Sequence, residues 1–196
     1  MLAALPWLQG FFTPEAATEH EVPAVIGELA EWRAAPENCV ADQYGGLVLQ
    51  ADVAPNAGRE RIVASYSQGV FVFDRHRHVL AQATGFVCQG SSDQLVAIAA
   101  GDATVGTPLI ALAATTGGRA ESTTYLTLYR VSGGGELQPV FVGEVERHAN
   151  QQTRTGVVTI VPGGLIFVDP AGTVSLWTYD ADLGRYVEQL TNRPYA

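Results

Sequence analysis

The sequence predicts a mainly β fold of four-stranded antiparallel units behind a short helical segment, and three observations predict it. From Leu47 onward, short apolar runs alternate with Gly, Asp and Ser punctuation, the pattern of strands and turns. Turn formers are plentiful, with 21 Gly and 10 Pro in 196 residues. Landmarks of the strand pattern also return at intervals of about 50 residues, and a period of that size marks a repeated supersecondary unit.

The chain opens on Met1-Leu2-Ala3-Ala4-Leu5-Pro6-Trp7-Leu8-Gln9-Gly10-Phe11-Phe12, apolar and without the basic flank of a secretory signal. It reads as a strand or anchor that packs its aromatics on the domain. Thr13 suits a helix cap, with Pro14 at the first helical position. Pro23 opens a second piece in which Val25, Leu29 and Trp32 share one face, and Ala34-Ala35-Pro36-Glu37-Asn38 ends it. Residues 14–34 are therefore predicted helical. Residues 1–46 hold seven acids against Arg33 alone, which makes them an acidic helical or anchor segment ahead of a β-repeat domain over 47–196.

Twelve strands are predicted after that boundary: 47–51, 60–66, 69–74, 78–83, 94–100, 108–114, 124–131, 137–145, 156–161, 164–168, 173–179 and 185–190. Ser67-Gln68, Ser132-Gly133-Gly134-Gly135, Pro162-Gly163, Asp169-Pro170-Ala171-Gly172 and Ala181-Asp182-Leu183-Gly184 read as tight hairpin turns, so neighbouring strands run antiparallel. Asp169, Asp180 and Asp182 suit residues that cap their own turns.

Cys39 and Cys88 stand ahead of two similar stretches. Each runs through Asp-Gln and Leu-Val (Asp42-Gln43 and Leu47-Val48, then Asp93-Gln94 and Leu95-Val96) to Asp52 or Asp102. A polar loop with Gly58 or Gly106 follows, then an apolar strand. A later strand ends on an aromatic and a charge in Phe73-Asp74, Tyr129-Arg130 and Tyr179-Asp180. The units are about 47–87, 95–146 and 147–190, the third without the Asp-Gly opening. One such meander cannot bury both faces alone, so the units must stack face to face. The expected architecture is a propeller-like stack.

Ala51-Asp52-Val53, Gly58, Glu60, Ile62-Val63-Ala64 and Gly69-Val70-Phe71-Val72-Phe73-Asp74 resemble an FG-GAP or VCBS-type propeller repeat. Ile98-Ala99-Ala100-Gly101-Asp102 with Gly106, Pro108, Ile110 and Ala111 is similar. The resemblance implies blades used in extracellular recognition, adhesion or scaffolding, some of them carrying calcium in an Asp-rich loop. Here Asp52 is followed by Val53-Ala54-Pro55-Asn56-Ala57, and Asp102 by Ala103-Thr104-Val105. One carboxylate per loop falls short of the roughly six to eight oxygens that calcium takes. The expectation is no cofactor, with calcium disfavoured. Three units also fall short of the roughly four to eight blades of a closed ring. Strands from 1–46, an open stack, or assembly of copies remain open as the remedy.

The net charge of −9, from 11 basic and 20 acidic residues, argues against a nucleic-acid partner and against attachment to an anionic membrane. Every basic residue is Arg, so no lysine is available for Schiff-base or Walker chemistry. No apolar stretch is long enough to span a bilayer. His76 and His78, together with Asp52 and Asp102, are the candidate metal ligands, although a solvated turn explains the histidines more simply. Trp177 and Tyr179 share one strand face and offer a platform for a ligand, with core packing favoured. The polar stretch from Arg119 to Thr124, read as a loop, makes Arg119 and Glu121 candidate partner contacts. A Cys39–Cys88 disulfide would close a loop of about 50 residues, contribute on the order of 3–4 kcal/mol, and place the protein in an oxidising compartment, secreted or periplasmic. The functional expectation is a non-catalytic recognition or scaffolding domain for a protein or cell-surface partner. A secreted hydrolase with a loop-built site at one end of the stack is the alternative, as is a structural subunit that assembles with its copies through β edges. No Gly-x-Ser-x-Gly elbow surrounds Ser65 or Ser67.

Overall fold

The computed structural model describes residues 6–9, 46–54, 58–65, 69–76, 78–83, 94–102 and 108–192. The helix expected at 14–34 lies outside them, as do Cys39 and Cys88 and the disulfide proposed between them. Among the described residues there are fourteen strands and no helix. All twelve predicted strands are present, with ends shifted by up to four residues.

After β1 (Leu8–Gln9), the chain builds three sheets in succession. The first is the meander β2 (Gly46–Ala51), β3 (Glu60–Ser65), β4 (Gly69–Phe73) and β5 (Val79–Ala83). The second runs β6 (Gln94–Asp102), β7 (Pro108–Gly117), β8 (Glu121–Val131), β9 (Leu137–Ala149) and β10 (Gln152–Thr155). The third runs β11 (Val157–Val161), β12 (Gly164–Val168), β13 (Val174–Asp180) and β14 (Arg185–Asn192). Consecutive strands within each sheet pair antiparallel, joined by connections of two to eight residues. β1 joins the third sheet in parallel, Leu8 opposite Val158, and buries Trp7 in the core.

Side-chain alternation along each strand explains the stacking. Leu49, Ile62, Val70 and Val72 of the first sheet meet Ile98, Ala100, Ile110 and Leu112 of the second in one apolar cluster. On its other face the second sheet turns Leu109, Leu126, Leu128 and Phe141 toward Val158, Ile160, Leu165 and Tyr186 of the third. The middle sheet is thus apolar on both faces. Each fully buried Leu or Ile here contributes roughly 1.5–3 kcal/mol relative to exposure. Gly143 permits the second of these contacts. A Cβ there would fall 2.7 Å from the Phe141 ring and 3.0 Å from Phe167. Its absence lets Phe141 meet Phe167 and Trp177 edge-on, at 5.5 and 5.3 Å between centroids.

Two expectations need revision. The unit boundary at 146/147 is displaced, because β9 runs on to Ala149 and β10 returns along it, so both belong to the second sheet. The polar stretch after Arg119 is not a long loop. Glu121 already begins β8, and Ser122 pairs with Gly117 across a hairpin whose turn is Gly118–Ala120. The β-branched threonines in this stretch hold extended backbone as readily as valine would.

Candidate functional site

β7, β8 and β9 are the longest strands, with 10, 11 and 13 residues against five or six in β2 to β5. Their extra length carries polar rather than apolar side chains, so it extends beyond the part of the middle sheet that its neighbours cover. Thr115 and Thr124 stand opposite one another and share a hydroxyl hydrogen bond of 2.8 Å. β9 turns back at Asn150 and Gln151, both at positive φ (53° and 61°), the geometry of a two-residue hairpin. The returning strand β10 is exposed along its whole length.

Arg147 is the centre of this end. Its Nε and Nη2 donate to the two carboxylate oxygens of Glu144 at 2.8 and 3.0 Å, a bidentate pair that fixes the guanidinium plane. The ion pair is exposed, so it orients the side chain more than it stabilises the fold. Two open grooves meet at Arg147. One, of about 420 Å³, is lined by Thr116, Glu121, Ser122, Thr123 and His148. The other, of about 280 Å³, lies between β9 and the β12–β13 turn and is lined by Glu144, Arg154, Phe167, Asp169 and Pro170. His148 Nδ1 lies 3.0 Å from the Thr153 hydroxyl on β10. The arrangement presents guanidinium donors, carboxylate and hydroxyl acceptors and one aromatic edge on a rigid sheet. It suits hydrogen bonding to a polar surface.

Of the residues the sequence singles out, Glu121 lines the larger groove and Arg119 is exposed in the adjoining turn. Trp177 and Tyr179 lie elsewhere. Both pack between the second and third sheets, and Trp177 Nε1 donates to Ser175 Oγ at 2.8 Å. Both are partly buried there. His76 and His78 occupy the β4–β5 turn with rings 6.3 Å apart. Asp74 organises that turn, its Oδ1 accepting from the backbone N–H groups of His76 and His78 at 2.7 and 2.8 Å. The His78 N–H, seconded by that of His76 and by the His78 ring, holds the Asp74 carboxyl below the usual carboxylate range. His76 Nε2 accepts from Arg75 Nε at 3.0 Å. Asp52 is exposed beyond β2, and Asp102 ends β6. Among the described residues no three His, Cys, Asp or Glu side chains gather as a metal site. Asp169 and Asp180 cap their turns as expected, each accepting two backbone N–H bonds at 2.8–2.9 Å.

Sequence reasoning missed Glu144, Arg147 and Arg154. A signal was present in Asn150, a residue that tolerates left-handed backbone, between two short polar runs. Compared with known proteins, the chain matches no family model, and no curated protein or solved structure is significantly similar to it.

Proposed function

We propose that the protein is a non-catalytic recognition or scaffolding module of propeller-like repeats, secreted or periplasmic, that grips a protein or cell-surface partner with the projecting end of its middle sheet. The observation that carries this reading is Arg147, held in one orientation by Glu144 and shared by two open grooves. A polar constellation on a rigid β scaffold, outside the packed stack, is where recognition residues concentrate. The groups there favour binding over chemistry: Glu144 is committed to Arg147, and the His148 Nδ1 to Thr153.

The repeat reading draws support from register. Ala51 pairs with Glu60 and Arg61 with Phe73 in the first sheet; Gly101 pairs with Leu109 and Ile110 with Tyr129 in the second. In that register Asp52 corresponds to Asp102 and Phe73 to Tyr129, the landmarks on which the FG-GAP resemblance rests. An oxidising compartment is the consequence of the proposed Cys39–Cys88 bridge, and thiol titration of the unfolded, unreduced protein tests it.

The binding test uses fluorescently labelled protein on intact cells and on arrays of immobilised glycans and extracellular proteins. The double variant Arg147→Ala, Arg154→Ala is expected to keep the wild-type melting temperature and lose at least tenfold in binding. Undiminished binding by that variant overturns the assignment of this end as the contact surface.

A further inference from the structure

We propose that the edge of β11 is an acceptor groove for an extended, tryptophan-bearing segment of a partner protein, and that residues 6–9 of this chain are its built-in, displaceable occupant. The structure shows what fills the groove. Trp7 is 6% exposed and belongs to the apolar cluster of Val158, Ile160, Leu165 and Tyr186. The Val158 N–H donates to Trp7 O at 2.7 Å, and Leu8 and Gln9 run beside Val158 and Thr159. Main-chain pairing combined with a side chain in a pocket is how a sheet edge recognises a separate peptide.

Two features make β1 a docked segment rather than a member of the stack. Its pairing with β11 is the one parallel pair among the described strands, so no hairpin delivers it. It is also the shortest strand, with two residues against four to thirteen in the others. Leu8 is half-buried and Gln9 exposed, which leaves Trp7 as the buried anchor. Every other buried residue of its cluster belongs to β6–β14, so the second and third sheets keep their shared core when the segment leaves. Elements with so few anchors open at the lowest free energy. Opening leaves an unpaired Val158 N–H, an edge of extended backbone and a pocket shaped by an indole. The chemistry of the occupant follows. It is an uncharged extended segment with Trp at the pocket position, because a smaller side chain leaves a cavity and a charged one buries an unpaired ion.

The probe is a fluorescein-labelled peptide of Leu5-Pro6-Trp7-Leu8-Gln9-Gly10, titrated into the full chain and followed by anisotropy. Trp7→Gly empties the pocket and is expected to bind this peptide at least about tenfold more tightly than wild type, whose own segment competes. The same peptide with Ala in place of Trp is expected not to bind. Hydrogen exchange on the wild type reads detachment without any variant. The Val158 N–H, on the edge, is expected to exchange at least about tenfold faster than the Thr159 N–H, which strand alternation turns toward β12. Equal protection of the two means that β1 opens only with the whole stack, and overturns the proposal. So does a folded Trp7→Gly chain that ignores the peptide, or that takes the Ala peptide equally well. Wild-type chains that dimerise in sedimentation, where Trp7→Gly chains do not, would make residues 6–9 of a second copy the occupant and overturn the assignment to a different protein.

Discussion

Arg130 on β8 donates from Nη1 to the hydroxyl of Tyr179 on β13, binding the second sheet to the third across their shared core. Its Nη2 donates to Gln138 Oε1 at 2.9 Å, and the guanidinium lies 5.9 Å from the Tyr179 ring centre. Tyr129-Arg130 and Tyr179-Asp180 are similar aromatic-and-charge pairs in the sequence, and the charged residue of the first meets the aromatic of the second. Hydrogen bonds to a charged group contribute about 1.5–3 kcal/mol each. Tyr179→Phe is expected to lose about that much and Arg130→Met somewhat more, because Gln138 is also orphaned. A double-mutant cycle by urea denaturation should give a coupling of about 0.5–3 kcal/mol; additivity would show that the contact is energetically idle.

Glu60 is a buried carboxylate on β3 whose Oε2 accepts from the backbone N–H groups of Val53 and Ala54 at 2.7 and 3.2 Å. It closes the loop after β2 from within. Glu60→Ala strands both donors and is expected to cost about 1–3 kcal/mol, read from the urea midpoint. A variant as stable as wild type would mean that the loop finds other acceptors.

Tyr186 sits in the core with its ring edge-on to Tyr179 at 5.4 Å, and its hydroxyl has no partner among the described residues. Burial, with the neighbouring Tyr179, pushes its pKa up to about 12. The folded value lies above the ordinary value of about 10, so its contribution to stability is fully present below pH 10 and is lost as pH rises toward 12. Thermal melts across that window should fall more steeply for wild type than for Tyr186→Phe. Equal slopes would place the alkaline sensitivity elsewhere.

Asp74 gives the opposite limb. Its depressed pKa means a stabilising effect that is present above the ordinary carboxylate range and fades as pH falls through the folded value. Asp74→Asn should therefore melt lower than wild type at neutral pH and converge with it in strong acid. Hydrogen exchange at His76 and His78 reports the turn directly, and protection unchanged by the substitution would count against Asp74 as its organiser.

Leu126 is fully buried between the second and third sheets, whereas Leu176 lies on the open face. Leu126→Ala is expected to cost about 2–5 kcal/mol. Leu176→Ala should stay within about 0.5 kcal/mol. Similar losses at both sites would contradict the stacking order.

Strand positions were legible because apolar runs and turn residues are local signals. Ile62-Val63-Ala64 and Leu165-Ile166-Phe167 could hardly be anything else once Gly and Asp bound them. The threonine-rich start of β8 read as a loop, because polarity outweighed β-branching when the partner strand was unknown. The site was legible only at Arg119 and Glu121. Arg147 and Arg154 come together through the Asn150-Gln151 hairpin, and Asp169 approaches them from the next sheet, a juxtaposition set by stacking rather than by spacing. Trp177 and Tyr179 share a face as predicted, but which face is buried depends on the sheet opposite, which no single strand encodes.

The parallel pairing of β1 with β11 joins residues 150 positions apart, Leu8 to Val158, and is anchored by the Val158 N–H donating to Trp7 O at 2.7 Å. During synthesis at about 5–20 residues per second, Trp7 leaves the ribosome roughly 8–30 s before its partner strand exists. Over that interval Trp7 and β1 lack the strand they pair with. Contacts of such long range also slow folding of the finished chain. A chain that stops short of Val158 lacks the strand that receives Trp7.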